Sequence, residues 1–178
     1  MASIPSRYSG AQRFLHWFVF ACIVAAYVLI ELRSEAERGS ALRTGLTQGH
    51  MLAGLAVFLL AWPRIALRLM RGAPPITPPL PAWQHLPAQL THLALYAFLI
   101  AQPILGILTV WSAGRGIAIF GTGLEIPALI AENHDLHEQL EDLHEGLGEI
   151  FYWVIGLHIA GAIFHHLLRR DDTLRRML

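Results

Sequence analysis

Apolar residues along the chain gather into four long runs, at about residues 14–32, 51–69, 90–111 and 150–168. Each comes close to the roughly 20 residues a helix needs to cross the hydrocarbon core of a bilayer. The pattern predicts an all-α fold, an integral membrane four-helix bundle forming a single domain over residues 1–178. No small-residue cleavage site follows the first run, which ends instead at Glu31, Arg33 and Glu35, so it reads as a span rather than a removable signal. Pro63 in the second run and Pro103 in the third are compatible with membrane helices and are expected to bend them.

The connections have their own character. Six prolines between Pro74 and Pro87 predict an extended, semi-rigid strap without regular helix between the second and third spans. Residues 114–131, with Gly116, Gly121, Gly123 and Pro127, predict an ordered loop carrying a short surface helix. Helical patterning resumes at about Asn133, so the fourth helix is expected to begin well outside the bilayer. The echo of LHEQLED in LHEGLGE is too short to mark a repeat architecture.

Composition sharpens the membrane reading. Hydrophobic residues make up 54% of the chain and charged residues 15%, with a mean hydropathy of +0.47, far more apolar than a soluble domain. The formal net charge is zero, so total charge identifies no partner; lipid is expected around the spans and no nucleic acid is expected. Cys22 is the lone cysteine, which rules out an intrachain disulfide, and the absence of CxxCH rules out covalent c-type haem attachment. All thirteen basic residues are arginine, and their placement sets the orientation. Nine lie at the amino terminus, the second connection and the tail, and four (Arg33, Arg38, Arg43, Arg115) lie on the other side. The positive-inside rule then places both termini in the cytoplasm. Eleven of the thirteen acids fall on the opposite, outer side.

Candidate chemistry comes from histidine. His144 and His158 are fourteen residues apart in the last apolar stretch. A helix separates them by about 21 Å and turns them only about 40° apart, so one face presents both imidazoles at two membrane depths. Topology supplies each with a partner. His16, near the cytoplasmic start of the first helix, matches His158; His50, at the outer start of the second, matches His144. Two ligands at each of two depths is the arrangement that two stacked bis-histidine haems require, since neutral imidazole in an apolar surround is an electron-transfer ligand of haem iron. Gly54 and Gly161 could leave room for a flat macrocycle, or could serve close helix packing.

Taken singly, a histidine near a span end is more often an interfacial side chain than a ligand. His137 repeats the Leu-His-Glu context of His144 one heptad earlier and about 10 Å further out, which favours His144 as the ligand. His134 and His137 on an acidic helix start read as solvated. His165 lies two turns beyond His158 on the same face, and with His92 and Arg169 forms a candidate set for a quinone head group or a haem propionate at the cytoplasmic edge. His166 reads as an interface histidine, and tryptophans near the span ends read as belt anchors.

The segments SRYSGAQRFLHW, HMLAGLAVFLLAWPRIALR, HLALYAFLIAQPILG and HEGLGEIFYWVIGLHIAGAIFHHLLRRDDTLRRM together resemble bacterial cytochrome b561 over nearly the whole chain. The resemblance implies a four-helix inner-membrane protein with two haems b, exchanging electrons with quinone, most specifically ubiquinone. It places the ligand motifs on His16, His50, His144 and His158, the set already selected by spacing. Within such a family the electron donor is superoxide in at least one case and a dehydrogenase or hydrogenase partner in others. The specific activity expected here is superoxide:ubiquinone oxidoreduction, with a non-catalytic electron-transfer anchor as the alternative. One departure bears on this choice: the outer segments carry eleven acids against four arginines, which disfavours steering of an anion and suits a basic periplasmic redox protein equally well.

Overall fold

The computed structural model describes residues 7–119 and 122–178; Gly121, part of the expected loop, lies outside the described residues. Four helices, α1 (Gly10–Glu35), α2 (Ala41–Arg71), α3 (Ala82–Ser112) and α4 (His134–Phe164), carry the fold, and all four are long and apolar enough to cross a membrane. Each begins before its apolar run, because polar residues extend the helix outside the hydrocarbon layer.

Local chemistry sets the boundaries. Ser9 accepts from the backbone N–H of Gln12 while the Gln12 side chain accepts from the Ser9 N–H, a reciprocal cap that starts α1. Ser40 caps α2 through Arg43 N–H, and Asn133 caps α4 through Leu136 N–H, so α4 begins outside the membrane where the polar pattern placed it. Gly72 ends α2 with φ 65°, a conformation open to glycine at little cost. The proline strap is shorter than its prolines suggested. Pro87 lies within α3, whose cap is Pro81; a proline near a helix start loses only one internal hydrogen bond. Pro63 and Pro103 also lie within their helices.

A second correction concerns the connection after α3. Its short element is an antiparallel pair, β1 (Ile117–Ile119) and β2 (Leu124–Ile126), with Ile117 opposite Ile126 and Ile119 opposite Leu124. Three-residue strands rich in apolar side chains pair without the length a helix needs.

Helix α1 packs along α2, α3 along α4, and α2 along α3. The seam between α1 and α4 is joined by side chains: Tyr27 and Tyr152 rings approach to 4.3 Å, Tyr27 donates to Gly148 O at 2.8 Å, and Tyr152 donates to Glu31 at 2.8 Å. The buried core is small, centred on Val19, Val57, Ala61 and Leu99. Large apolar side chains point outward instead, with Trp153 82% exposed and Leu69 and Met70 each 80% exposed. At about 25 cal/mol per Å² such a surface would be prohibitive in water, and lipid removes that cost. The chain is a multi-pass membrane protein.

Two ends of the bundle can be distinguished. The termini end holds the starts of α1 and α3, the strap and the tail. The tail folds back over it: Arg176 O accepts from Tyr8 N–H at 3.1 Å, Met177 O accepts from Trp17 Nε1 at 3.0 Å, and Arg13 donates to Leu178 O. The hairpin end holds the α1–α2 connection, the strand pair and the start of α4.

Candidate functional site

Two clefts open inside the bundle, one toward each end. The cleft nearer the hairpin end, about 460 Å3, is lined by Ile23, Tyr27, His50, Gly54, Gln102 and His144 among others. His50 is not at a helix start, as its position before the apolar run suggested; it is the tenth residue of α2, because Ala41–Gly49 continue that helix outward. Its ring faces that of His144 with centroids 6.1 Å apart and planes at 86°. His50 Nδ1 donates to Ala26 O at 2.8 Å, and His144 Nδ1 donates to Gln102 O at 3.1 Å. A carbonyl can only accept, so each proton sits on Nδ1 and each Nε2 keeps its lone pair. Gln102 Nε2 in turn donates to His144 O at 2.8 Å, a two-way clasp between α3 and α4.

Glycine makes this placement possible. A Cβ on Gly106 would come within 3.1 Å of His144 Cε1, tighter than ordinary contact, so glycine here lets α3 pass close to the ring without displacing it. A Cβ on Gly54 would meet nothing within 4 Å; this residue faces open space in the cleft, in line with the expected room. Gly161 also faces open space but lines neither cleft.

The cleft toward the termini end, about 680 Å3, is lined by Tyr8, Gln12, His16, Arg64, Arg68, His92, Tyr96, His158 and Met177. His16 of α1 and His158 of α4 face each other with centroids 6.3 Å apart and planes at 67°. Arg64 Nη2 lies 2.8 Å from His16 Nδ1, with its guanidinium over the Tyr96 ring. His92 stands 5.5 Å from His158 by ring centroids, and its Nδ1 donates to Ala88 O of its own helix at 2.7 Å.

These separations can be tested against haem. Two imidazoles bound on opposite sides of one metal at about 2 Å, with each centroid about 1.1 Å behind its nitrogen, would have centroids about 6.2 Å apart. Both facing pairs fit that span, whereas His92 and His158 are too close. The residues present fit haem b.

The chain belongs to the prokaryotic cytochrome b561 family. The family match covers residues 7–178. Cytochrome b561 homolog 1 of Escherichia coli K12 is 31% identical over 173 residues, 97% of both chains. A Yersinia pestis protein named probable superoxide oxidase CybB is 35% identical over 97% of this chain and 96% of its own. Cytochrome b561 homolog 2 of E. coli K12 is 26% identical over 98% and 92%. Membership makes this cytochrome b561 a haem-binding, multi-pass bacterial membrane protein of electron transport.

The expected quinone-or-propionate set divides. His92 lines the termini-end cleft, but His165 and Arg169 do not. The α-helix ends at Phe164 and gives way to a π-helical turn, His165–Arg169; His165 N–H still bonds back to Gly161 O, so it keeps its helical register from His158, but its ring is taken up by the tail rather than by the cleft. Both side chains converge instead on Asp171, at 2.6 Å from His165 Nδ1 and 2.9 Å from Arg169 Nε. Arg169 also reaches Gln84 at 2.7 Å and the strap carbonyls of Pro78 and Pro79. Burial alone would raise the Asp171 carboxyl, but hydrogen bonds from His165 and Thr173 outweigh it and hold the group below the ordinary carboxylate range. Together these residues clamp the tail to the strap.

Of the outer histidines, His137 donates Nδ1 to Thr109 O at 3.0 Å and lines neither cleft, and His134 pairs with Glu138 at 3.3 Å on the surface. No cluster of three metal-ligating side chains occurs among the described residues. Sequence reading missed Gln102, Gly106 and Arg64. Gln102, a polar residue in the middle of an apolar run, was the visible signal, since such residues in spans usually have a role. Arg64 stands out in the sequence only as one of the positive charges of the second connection.

Proposed function

We propose that this cytochrome b561 holds two haems b, one between His16 and His158 and one between His50 and His144, and carries electrons from the outer face to the quinone pool. The observation that carries the reading is the spacing of the two facing imidazole pairs, 6.3 and 6.1 Å between centroids. Bound haem supplies one-electron chemistry; the chain supplies ligands, depth and a water-poor surround. Ala26 O and Gln102 O fix the tautomers of His50 and His144, so Nε2 is presented without a rotational search. In the proposed orientation, in the bacterial inner membrane, the termini end faces the cytoplasm and the hairpin end the periplasm.

The specific activity proposed is superoxide:ubiquinone oxidoreduction. Two superoxide anions each give up one electron and leave as dioxygen, while ubiquinone takes both electrons and two protons to become the quinol. Two observations support this donor: the similarity to a protein named probable superoxide oxidase, and the presence of Arg33 in the last turn of α1, at the hairpin end. Arg33 offers a cation at that end despite the acidic outer segments. Arg43 is otherwise engaged, donating to Arg33 O and Ala36 O at the end of α1. The quinone head group is proposed beside His92, exposed at the rim of the termini-end cleft, where an imidazole can exchange a proton.

The acidic outer face favours one alternative, a haem-bearing anchor that receives electrons from a basic periplasmic protein. Turnover separates the two. Purified protein with two haems per chain, given ubiquinone and a superoxide source, should form quinol; absence of quinol formation would remove the oxidase reading. Replacing His50 or His144 by alanine should remove chiefly the outer haem, and replacing His16 or His158 the inner one. If all four variants kept two haems, the ligand assignment would be wrong.

A further inference from the structure

Arg64 is a cation without an anion. It lies within α2, one residue past Pro63, with its Nε shut off from solvent and without a hydrogen-bond partner, and no carboxylate pairs with it among the described residues. Its guanidinium meets only the Tyr96 ring and His16 Nδ1. Arg68, one turn on, lines the same cleft, and no acidic side chain lines it. A guanidinium held in a low-dielectric setting without a counter-charge is costly, so a site built this way calls for an anionic ligand.

The present partner cannot satisfy Arg64 once His16 serves as a ligand. An imidazole bound through Nε2 carries its proton on Nδ1, and guanidinium has donors only. Two donors would then face each other across 2.8 Å. Arg64 must turn to an acceptor, and the planar fork of guanidinium matches a carboxylate with two parallel hydrogen bonds.

We propose that Arg64, assisted by Arg68, is the carboxylate receptor of the termini-end cleft and binds a propionate of the haem held by His16 and His158. The inference rests on the di-haem reading above and assigns Arg64 a role outside the ligand set. Arg64 is thus a positioning and charge-compensating residue. It sets how the porphyrin is turned within the cleft and neutralises charge beside the iron. The same guanidinium could also take a lipid phosphate, and the choice of probe separates the two.

The test uses the full-length chain loaded with haem b or with its dimethyl ester, in which both propionates are masked. Wild type should bind the free acid about 10- to 100-fold more tightly than the ester at the His16–His158 site. Arg64→Gln should abolish that preference and lower the reduction potential of this haem, leaving the haem at His50 and His144 unchanged as an internal control of folding. Arg64→Lys, which keeps the charge, should retain part of the preference and serves if the glutamine variant fails to assemble. Equal weakening of acid and ester in both variants would overturn the proposal by showing a purely structural role. No discrimination by wild type would overturn it in favour of another anion such as lipid phosphate. Failure of the di-haem reading looks different: fewer than two haems in wild type, or two haems retained in His16→Ala.

Discussion

Gly106 offers a perturbation whose two effects run in opposite directions. Gly106→Ala places a methyl 3.1 Å from His144 Cε1, 3.5 Å from Nδ1 and 3.7 Å from Nε2. Carbon pairs prefer about 3.5–4.0 Å, so the ring must retreat by roughly half an ångström. It has little freedom to do so, being tied to Gln102 O through Nδ1, with its own backbone carbonyl tied to Gln102 Nε2. Sites of this kind tolerate about 0.5 Å, and disturbing the groups that orient a ligand costs about 10- to 100-fold in affinity, about 1.4–2.7 kcal/mol. Alanine is meanwhile the better helix former by about 1 kcal/mol. The expected variant keeps its helical content and resists thermal unfolding of the haem-free chain at least as well as wild type. It nevertheless loses the haem at His50 and His144 on dilution, while the haem at His16 and His158 stays. Haem titration followed by pyridine-haemochrome counting reads the loss. Two haems retained with unchanged affinity in Gly106→Ala would refute the claim that α3 limits the position of His144.

Ring planes at 86° for His50 and His144 and at 67° for His16 and His158 should leave the iron d orbitals that bond to imidazole nearly degenerate. Low-temperature electron paramagnetic resonance of the oxidised protein should therefore show strongly anisotropic low-spin signals, the more anisotropic one vanishing in His144→Ala; two ordinary rhombic signals would count against these ring orientations. His165→Leu should leave both haem spectra and quinone reduction intact while loosening the tail, seen as faster proteolysis after Phe164; a selective loss of quinone turnover would bring His165 back to the cleft. Asp171 has a depressed folded-state pKa, so its stabilisation is fully present above the ordinary carboxylate value of about 3.9 and disappears as pH falls through the lower folded value. Tail protection should follow that pattern in wild type, and Asp171→Asn should lack the acid-side loss; identical pH profiles for the two would exclude Asp171 as the group responsible.

The spans were legible because lipid makes one demand on every helix, about 20 apolar residues, and the chain meets it four times. The histidine pairs were legible because helical rise and rotation are fixed, so fourteen residues between His144 and His158 translate directly into depth and face. The same arithmetic puts His165 on the face of His158, but it takes no account of Asp171, which the chain after the π-helical turn brings against the His165 ring. Pro87 was misplaced because composition counts prolines without locating the helix start that accommodates them. Arg64 and Gln102 illustrate a different limit. Their roles depend on what stands opposite them on another helix, and one chain read in order holds no record of that.

The seam between α1 and α4, closed by side chains rather than by close backbone approach, bears on how the protein is assembled. The first pair of helices contributes one proposed ligand to each haem, His16 and His50, and α4 contributes both of the others. Neither half can hold a metal between two of its own imidazoles, so both sites close in one docking event. Haem then acts as a rivet between halves rather than as cargo in a finished cavity. Separately synthesised halves, cut within the strap between α2 and α3, should combine in a bilayer when haem is supplied and remain apart when it is withheld. Cellular abundance of the intact chain should accordingly follow haem supply, because the undocked halves leave their unpaired histidine faces open to quality-control proteases.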